Sequence, residues 1–180
     1  EADIERGLRE NNELDRVIRA LGFHRAPGSA AQALIRSAHD LSDGQAVARL
    51  AHAIESFVYG LDEQTYSKSF AILCEGQLDA IHVDGCALGG SEISDQQAML
   101  LNRLQKQIIV VPDRDSAGSK LVEQAIELGW SVSLPDWDDD INDIGDAVNK
   151  YGRLYTLYSI ANTAEDSALK IRLKAKKWFD

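Results

Sequence analysis

Two hydrophobic periodicities divide the chain. Over residues 1–66 the apolar positions recur at helical spacing. Ile4, Leu8, Leu14, Val17, Ile18 and Leu21 form one stripe that ends at Gly22. Val47, Leu50, Ile54, Phe57 and Val58 form another before Gly60. A short Ala-rich stretch at 30–41 lies between them, after the turn residues Pro27, Gly28 and Ser29. From about residue 69 the pattern changes to short continuous apolar runs separated by amphipathic stretches. Strands are expected at 69–74, 86–88, 107–111 and 130–134. Helices are expected at 78–83, 94–104, 116–128, 141–149 and 164–178. Ser94 with Gln97 makes a capping box for the second of these helices. Strands alternating with helices predict an α/β fold: a parallel sheet of about four strands flanked by helices, with an N-terminal helical segment.

Composition narrows the class. Of the 180 residues, 44% are hydrophobic and 27% charged, the balance of an ordinary globular protein. No apolar run is long enough to span a bilayer, so no membrane role is expected. The chain begins at Glu1 and not at Met, which points to a piece of a longer protein. Cys74 and Cys86 sit in apolar runs and read as buried, reduced thiols. The net charge of −10 is uneven. Residues 1–67 carry 11 acids and 7 bases, residues 68–163 carry 15 and 7, and residues 164–180 carry 3 and 5. A middle segment this acidic repels nucleic-acid phosphates unless divalent cations bridge the two.

The acids with a chemical reading stand at the ends of expected strands, where ligands bind in open α/β sheets. Glu75 follows the first strand and precedes Gly76. Asp113 and Asp115 follow the 107–111 strand. If these strands are neighbours, three carboxylates converge and repel one another, an arrangement a magnesium ion relieves. Ser116, Ala117 and Gly118 then open a helix whose free N–H groups could meet a phosphate. Each piece alone has a plainer reading: a Glu-Gly turn, or an Asp helix cap. The combination and its order are what carry weight.

Two segments, Glu75-Gly76-Gln77-Leu78-Asp79-Ala80 and Asp113-Arg114-Asp115-Ser116-Ala117-Gly118, resemble the Toprim domain. That domain is shared by DnaG-type primases, topoisomerases, OLD-type nucleases and recombination mediators. The resemblance covers roughly residues 69–150. It leans toward primases through the stretch from Ala87 to Gly90. Asp140-Ile141-Asn142-Asp143 also resembles a segment of bacteriophage primases.

The resemblance implies a Rossmann-like fold with a Toprim catalytic domain at 67–163, between the helical segment 1–66 and a basic helix at 164–180. It implies Glu75, Asp113 and Asp115 as catalytic residues and as ligands of Mg2+ or Mn2+, with Asp79 and Asp143 at further metals or in support. Gly76, Ser116, Gly118 and Lys120 would face the nucleotide. The implied activity is synthesis of short RNA primers on single-stranded DNA from nucleoside triphosphates, in a bacterial or phage-infected cytoplasm, with a replicative helicase as a further partner. A Toprim nuclease and a non-catalytic Toprim assembly module are the alternatives. The zinc module and basic template-binding subdomain that precede Toprim in primases are not visible, so this piece is expected to prime weakly by itself.

Other residues carry less. His24, His39, His52 and His82 are scattered and read as surface or interface residues. Asp138, Asp139 and Asp140 follow Trp137 as either an acidic metal loop or a solvated one. Lys170, Arg172, Lys174 and Lys177 stud the last helix as candidate nucleic-acid contacts, although such runs are usually solvated faces.

Overall fold

The computed structural model describes residues 57–64 and 68–179. These belong to a compact unit that runs from Phe57 to Asp180. The helices expected over 1–66, with His24, His39 and His52, lie outside the described residues except at 57–64, where Phe57 and Val58 are not helical as expected, Tyr59 bridges Ala87 and Leu61–Glu63 make a 3-10 turn.

Five strands form one sheet. They are β1 (Phe70–Cys74), β2 (Cys86–Ala87), β3 (Gln107–Val110), β4 (Ser131–Ser133) and β5 (Ala164–Glu165), in the order β2-β1-β3-β4-β5. The first four are parallel, as alternating strands and helices require, and β5 runs antiparallel to β4. β1 and β3 register Leu73 against Val110, and the Val111 N–H extends that ladder to the Leu73 carbonyl at 2.8 Å. After their first residues β1 and β3 are buried at every position, and β4 is buried throughout. Strands with no exposed face need helices on both sides of the sheet.

Among the described residues, six helices flank the sheet: α1 (Gln77–Val83), α2 (Asp95–Asn102), α3 (Ser116–Glu127), α4 (Ile144–Tyr151), α5 (Arg153–Thr163) and α6 (Ala168–Phe179). α1, α4 and α5 pack on one another, and α3 packs on α6. α3 buries Gly118, Leu121, Val122 and Ala125, one stripe at three- and four-residue spacing. The α2 cap has both halves of its box: Ser94 Oγ accepts from Gln97 N–H, and Gln97 Oε1 accepts from Ser94 N–H. Cys74 and Cys86 are buried free thiols. Burial holds both above the usual thiol range, Cys86 up to about 12.

Three sequence expectations need correction. The helix expected from residue 141 starts at Ile144, because the Asp143 side chain accepts from Asp146 N–H and caps it there. The stretch 153–163, which carried no expected element, is α5. It buries only Thr156 and Ile160 and exposes Leu154, Tyr155 and Tyr158, so its apolar positions show no single face. The last helix starts at Ala168 and not at 164, because Ala164–Glu165 pairs with β4 as the fifth strand.

Candidate active site

The carboxyl ends of β1 and β3 are adjacent, and each delivers an acid. Glu75 follows β1 directly. Its carbonyl accepts from Gly89 N–H at 3.1 Å, so the 87–90 segment extends the β2 ladder and holds the Glu75 backbone. Asp113 leaves β3 through Val111 and Pro112. Asp115 lies one turn on and caps α3, with Oδ1 accepting from Ala117 N–H and Gly118 N–H, both at 2.8 Å. That corrects one expectation: two of the N–H groups expected to be free for a phosphate are taken by Asp115, whose short side chain reaches the second and third helical positions.

Two further acids come from α1 and α4. Asp79 Oδ1 accepts from Gly145 N–H at 2.8 Å, and Asp143 Oδ1 accepts from Asp146 N–H at 2.6 Å. A Cβ built on Gly145 would lie 3.2 Å from both Asp79 Oδ1 and Asp143 Oδ1. The two carboxylates therefore meet at that glycine. Asn142 accepts from Arg114 N–H at 2.8 Å, which pins the 140–143 segment to the Asp113-Arg114-Asp115 turn.

Crowding shows in the ionisation. Burial, then Glu75, Asp79, Asp143 and Asp115, push Asp113 up to about 7. Burial raises Glu75 above the usual carboxylate range; the nearby Asp113 backbone N–H opposes the rise, and Asp115 and Asp79 add to it. Asp79 is raised mainly by burial, against the hydrogen bond from Gly145. Glu75 Oε1 is buried and has no hydrogen-bond partner among the described residues. An orphaned carboxylate oxygen beside a carboxylate that resists ionising is a donor set that fits a hard divalent cation.

Among the described residues, no three His, Cys, Asp or Glu side chains are gathered tightly enough to enclose an ion. Both observations describe an open rim, with acids near enough to repel but too spread to chelate by themselves. Magnesium suits such a rim because it keeps several waters in its shell. Asp79, Asp115 and Asp143 each commit one oxygen to backbone N–H groups, which fixes the carboxylate and leaves its second oxygen outside those bonds.

The remaining candidates are placed as follows. Gly76 is the N-cap of α1, with Asp79 folded over it. Ser116 is the exposed first residue of α3, Gly118 is buried against the Asp113 carbonyl, and Lys120 is exposed on α3. On α6 the basic residues meet acids: Lys170 and Lys174 face Glu165, Arg172 grips Glu123, and Lys177 lies 3.7 Å from Asp136. The 138–140 acids also have a partner, since Lys150 pairs with Asp138 at 3.0 Å and Asp140 at 2.6 Å.

Sequence reasoning missed His82 and Gly145. His82 interacts electrostatically with Asp79, its Nδ1 is buried without a hydrogen-bond partner, and it lies 3.5 Å from a Cβ built on Gly145. Its signal was available: His82 follows Asp79 by three residues, on the same side of α1.

Residues 72–144 match the family model described as Toprim-like. The acidic strand ends and nearly all of the four parallel strands fall within this matched stretch, so the segment is similar to Toprim-like domains in sequence as well as in fold. Three solved structures share the fold, each with a TM-score of 0.51. The Aquifex aeolicus primase, solved as its zinc-binding and RNA polymerase domains, is 23% identical over 69% of this chain. The RNA polymerase domain of Mycobacterium tuberculosis primase DnaG is 21% identical over 60%, and a DnaG catalytic core is 19% identical over 62%. This chain covers 36%, 41% and 40% of those structures respectively. No curated protein sequence matches significantly. Among the described residues no helix is long and apolar enough to cross a membrane.

Proposed function

We propose that this chain carries the catalytic Toprim core of a DNA primase of the bacteriophage type, which joins ribonucleotides into short primers on single-stranded DNA. The observation that carries the reading is the placement of Glu75 and Asp113 on adjoining parallel strand ends, with Asp113 pushed up to about 7 and Asp115 one turn away. The shared fold of three primase structures supports it.

Glu75, Asp113 and Asp115 would hold magnesium or manganese, with Asp79 and Asp143 beside them. When bound, such an ion neutralises triphosphate charge and orients the reacting oxygens. The chain's own contribution is rigidity. The Asp115 carboxylate is locked to the start of α3, Asp79 is locked to α4, and Glu75 is held by the ladders on either side of β1. Gly76, Ser116, Gly118 and Lys120 would line the nucleotide's approach. In this reading the catalytic unit spans 67–163, flanked by the helical segment and the basic helix.

The test supplies the protein with ribonucleoside triphosphates, magnesium and single-stranded template. Short RNA is expected, and Asp115→Ala should abolish it. Cleavage of added DNA or structured RNA without synthesis would instead identify a Toprim nuclease, and neither activity would leave an assembly module. Unimpaired synthesis by the mutant would remove Asp115 from the mechanism.

A further inference from the structure

A second cleft lies between the loop after β4 and the last turns of α6. Its volume is about 340 Å³, and its walls include Arg114, Lys174, Lys177 and Trp178, with Asp136 and Asp139 among the lining residues. Arg114 is the middle residue of Asp113-Arg114-Asp115, so this cleft borders the acidic rim from the other side of one turn.

Arg114 is held in an unusual way for an arginine in an acidic chain. Its guanidinium stacks on the Trp178 ring, 4.0 Å from the centroid, and Nη1 donates to the Asp138 carbonyl at 3.2 Å. Trp178 is fixed in turn against Trp137, with centroids 5.9 Å apart. Arg114 makes no ion pair among the described residues, although Asp113 and Asp115 flank it, and its Nε is buried with no partner. The protein positions this cation by stacking and one carbonyl, with no ion pair among the described residues. Trp178, only 8% exposed, also has an indole N–H without a partner.

The two lysines are loosely committed. Lys177 is 86% exposed and its nearest acid, Asp136, is 96% exposed at 3.7 Å, a contact that solvent screens. Lys174 approaches Glu165 only to 3.7 Å. Lys177 can turn into the cleft at little cost, and Lys174 shares the mostly buried Glu165 with Lys170, which holds that acid if Lys174 turns away. Arg172 on the same helix differs, because it grips Glu123 through Nε and Nη2.

We propose that this cleft binds a phosphoryl oxyanion, with Arg114 as the fixed anchor and Lys174 and Lys177 as mobile arms closing on it. A planar guanidinium presents paired donors to such a group, and the two ammonium groups of α6 add charge along the same cleft. The phosphate would belong either to a nucleotide's polyphosphate or to the backbone of a single strand. The anion site uses none of the rim carboxylates, and only the choice between these two sources rests on the primase reading.

The experiment titrates the 180-residue chain, in excess EDTA, with inorganic tripolyphosphate and separately with a ten-nucleotide oligothymidylate. EDTA keeps the acidic rim free of metal, so the rim repels both probes and does not contribute to binding. Measurable binding that weakens with salt is expected. Arg114→Gln and the double variant Lys174→Gln/Lys177→Gln should each weaken it by about tenfold or more, and Arg172→Gln by less than about twofold. Tighter binding of tripolyphosphate assigns the cleft to a nucleotide, and tighter binding of the oligonucleotide assigns it to a strand. Circular dichroism checks the fold of Arg114→Gln, and the surface double variant keeps the test valid if that fold fails. No binding of either probe at millimolar concentration overturns the proposal. So does equal loss in Arg172→Gln and the double variant, which would reveal diffuse attraction without a site.

Discussion

The backbone N–H of Gly145 donates to the Asp79 carboxylate at 2.8 Å, joining α4 to α1 across 66 residues of sequence. A Cβ at 145 would sit 3.2 Å from Asp79 Oδ1 and from Asp143 Oδ1, a tight contact that both carboxylates must relieve by shifting a few tenths of an ångström. Gly145→Ala should shift both carboxylates slightly. Mn2+ affinity measured by calorimetry is expected to fall by about tenfold, the usual scale for losing support around a metal site. Unchanged affinity would mean that Asp79 and Asp143 serve only to cap and tie helices.

A closer approach occurs at Gly118, where a Cβ would lie 2.1 Å from the Asp113 carbonyl oxygen. Backbone cannot yield as a flexible side chain can, so α3 must move away from the turn. Gly118→Ala should destabilise the protein by about 1–3 kcal/mol, the range for overpacking, as read by urea denaturation. A change within error would show that the turn is more pliant than its hydrogen bonds indicate.

Asp113 gives a pH test. An acid whose folded pKa is raised favours the folded state below its unfolded value and loses that contribution as pH rises through the folded value. For Asp113 the window runs from about 4, the ordinary carboxylate value, up to about 7, and Glu75 and Asp79 are shifted in the same direction. In chelator, thermal stability should therefore decline between pH 4 and 7 through these groups. Asp113→Asn should flatten the decline and melt higher than wild type at pH 8. A wild-type protein as stable at pH 8 as at pH 5, with no gain in the mutant, would contradict the crowding of these carboxylates.

The chemical motifs were more legible than the element boundaries. Glu75, Asp113 and Asp115 stand where strand-end reasoning puts them because buried strands such as Ile108, Ile109 and Val110 announce themselves as apolar runs. α5 was illegible because Leu154 and Tyr158 are exposed, and an apolar residue facing solvent erases the periodicity by which helices are read. β5 was illegible for a different reason. Two residues of backbone pairing carry no side-chain pattern at all. The Asp115 cap is local and is the plainer reading of that motif, whereas the meeting of Asp79 and Asp143 at Gly145 depends on tertiary packing that no local pattern encodes.

Trp178 anchors the end of α6 while carrying Arg114 on its face. Trp178→Ala should cost about 3–5 kcal/mol, as for other large buried aromatics, measured by chemical denaturation. Trp178→Phe should recover most of that loss by keeping a ring in place. Equal losses in the two variants would shift the weight from ring packing to the indole N–H.

Both borders of the parallel sheet are occupied by chain running the opposite way. Tyr59 exchanges two backbone hydrogen bonds with Ala87 on one side, and Ala164–Glu165 pairs with β4 on the other. Each is only one or two residues long, too short to template a further strand, yet each consumes the backbone groups a neighbouring molecule would need. The parallel core is thereby closed to edge-to-edge growth, and the molecule can keep a sheet buried on both faces without offering a seed for self-association.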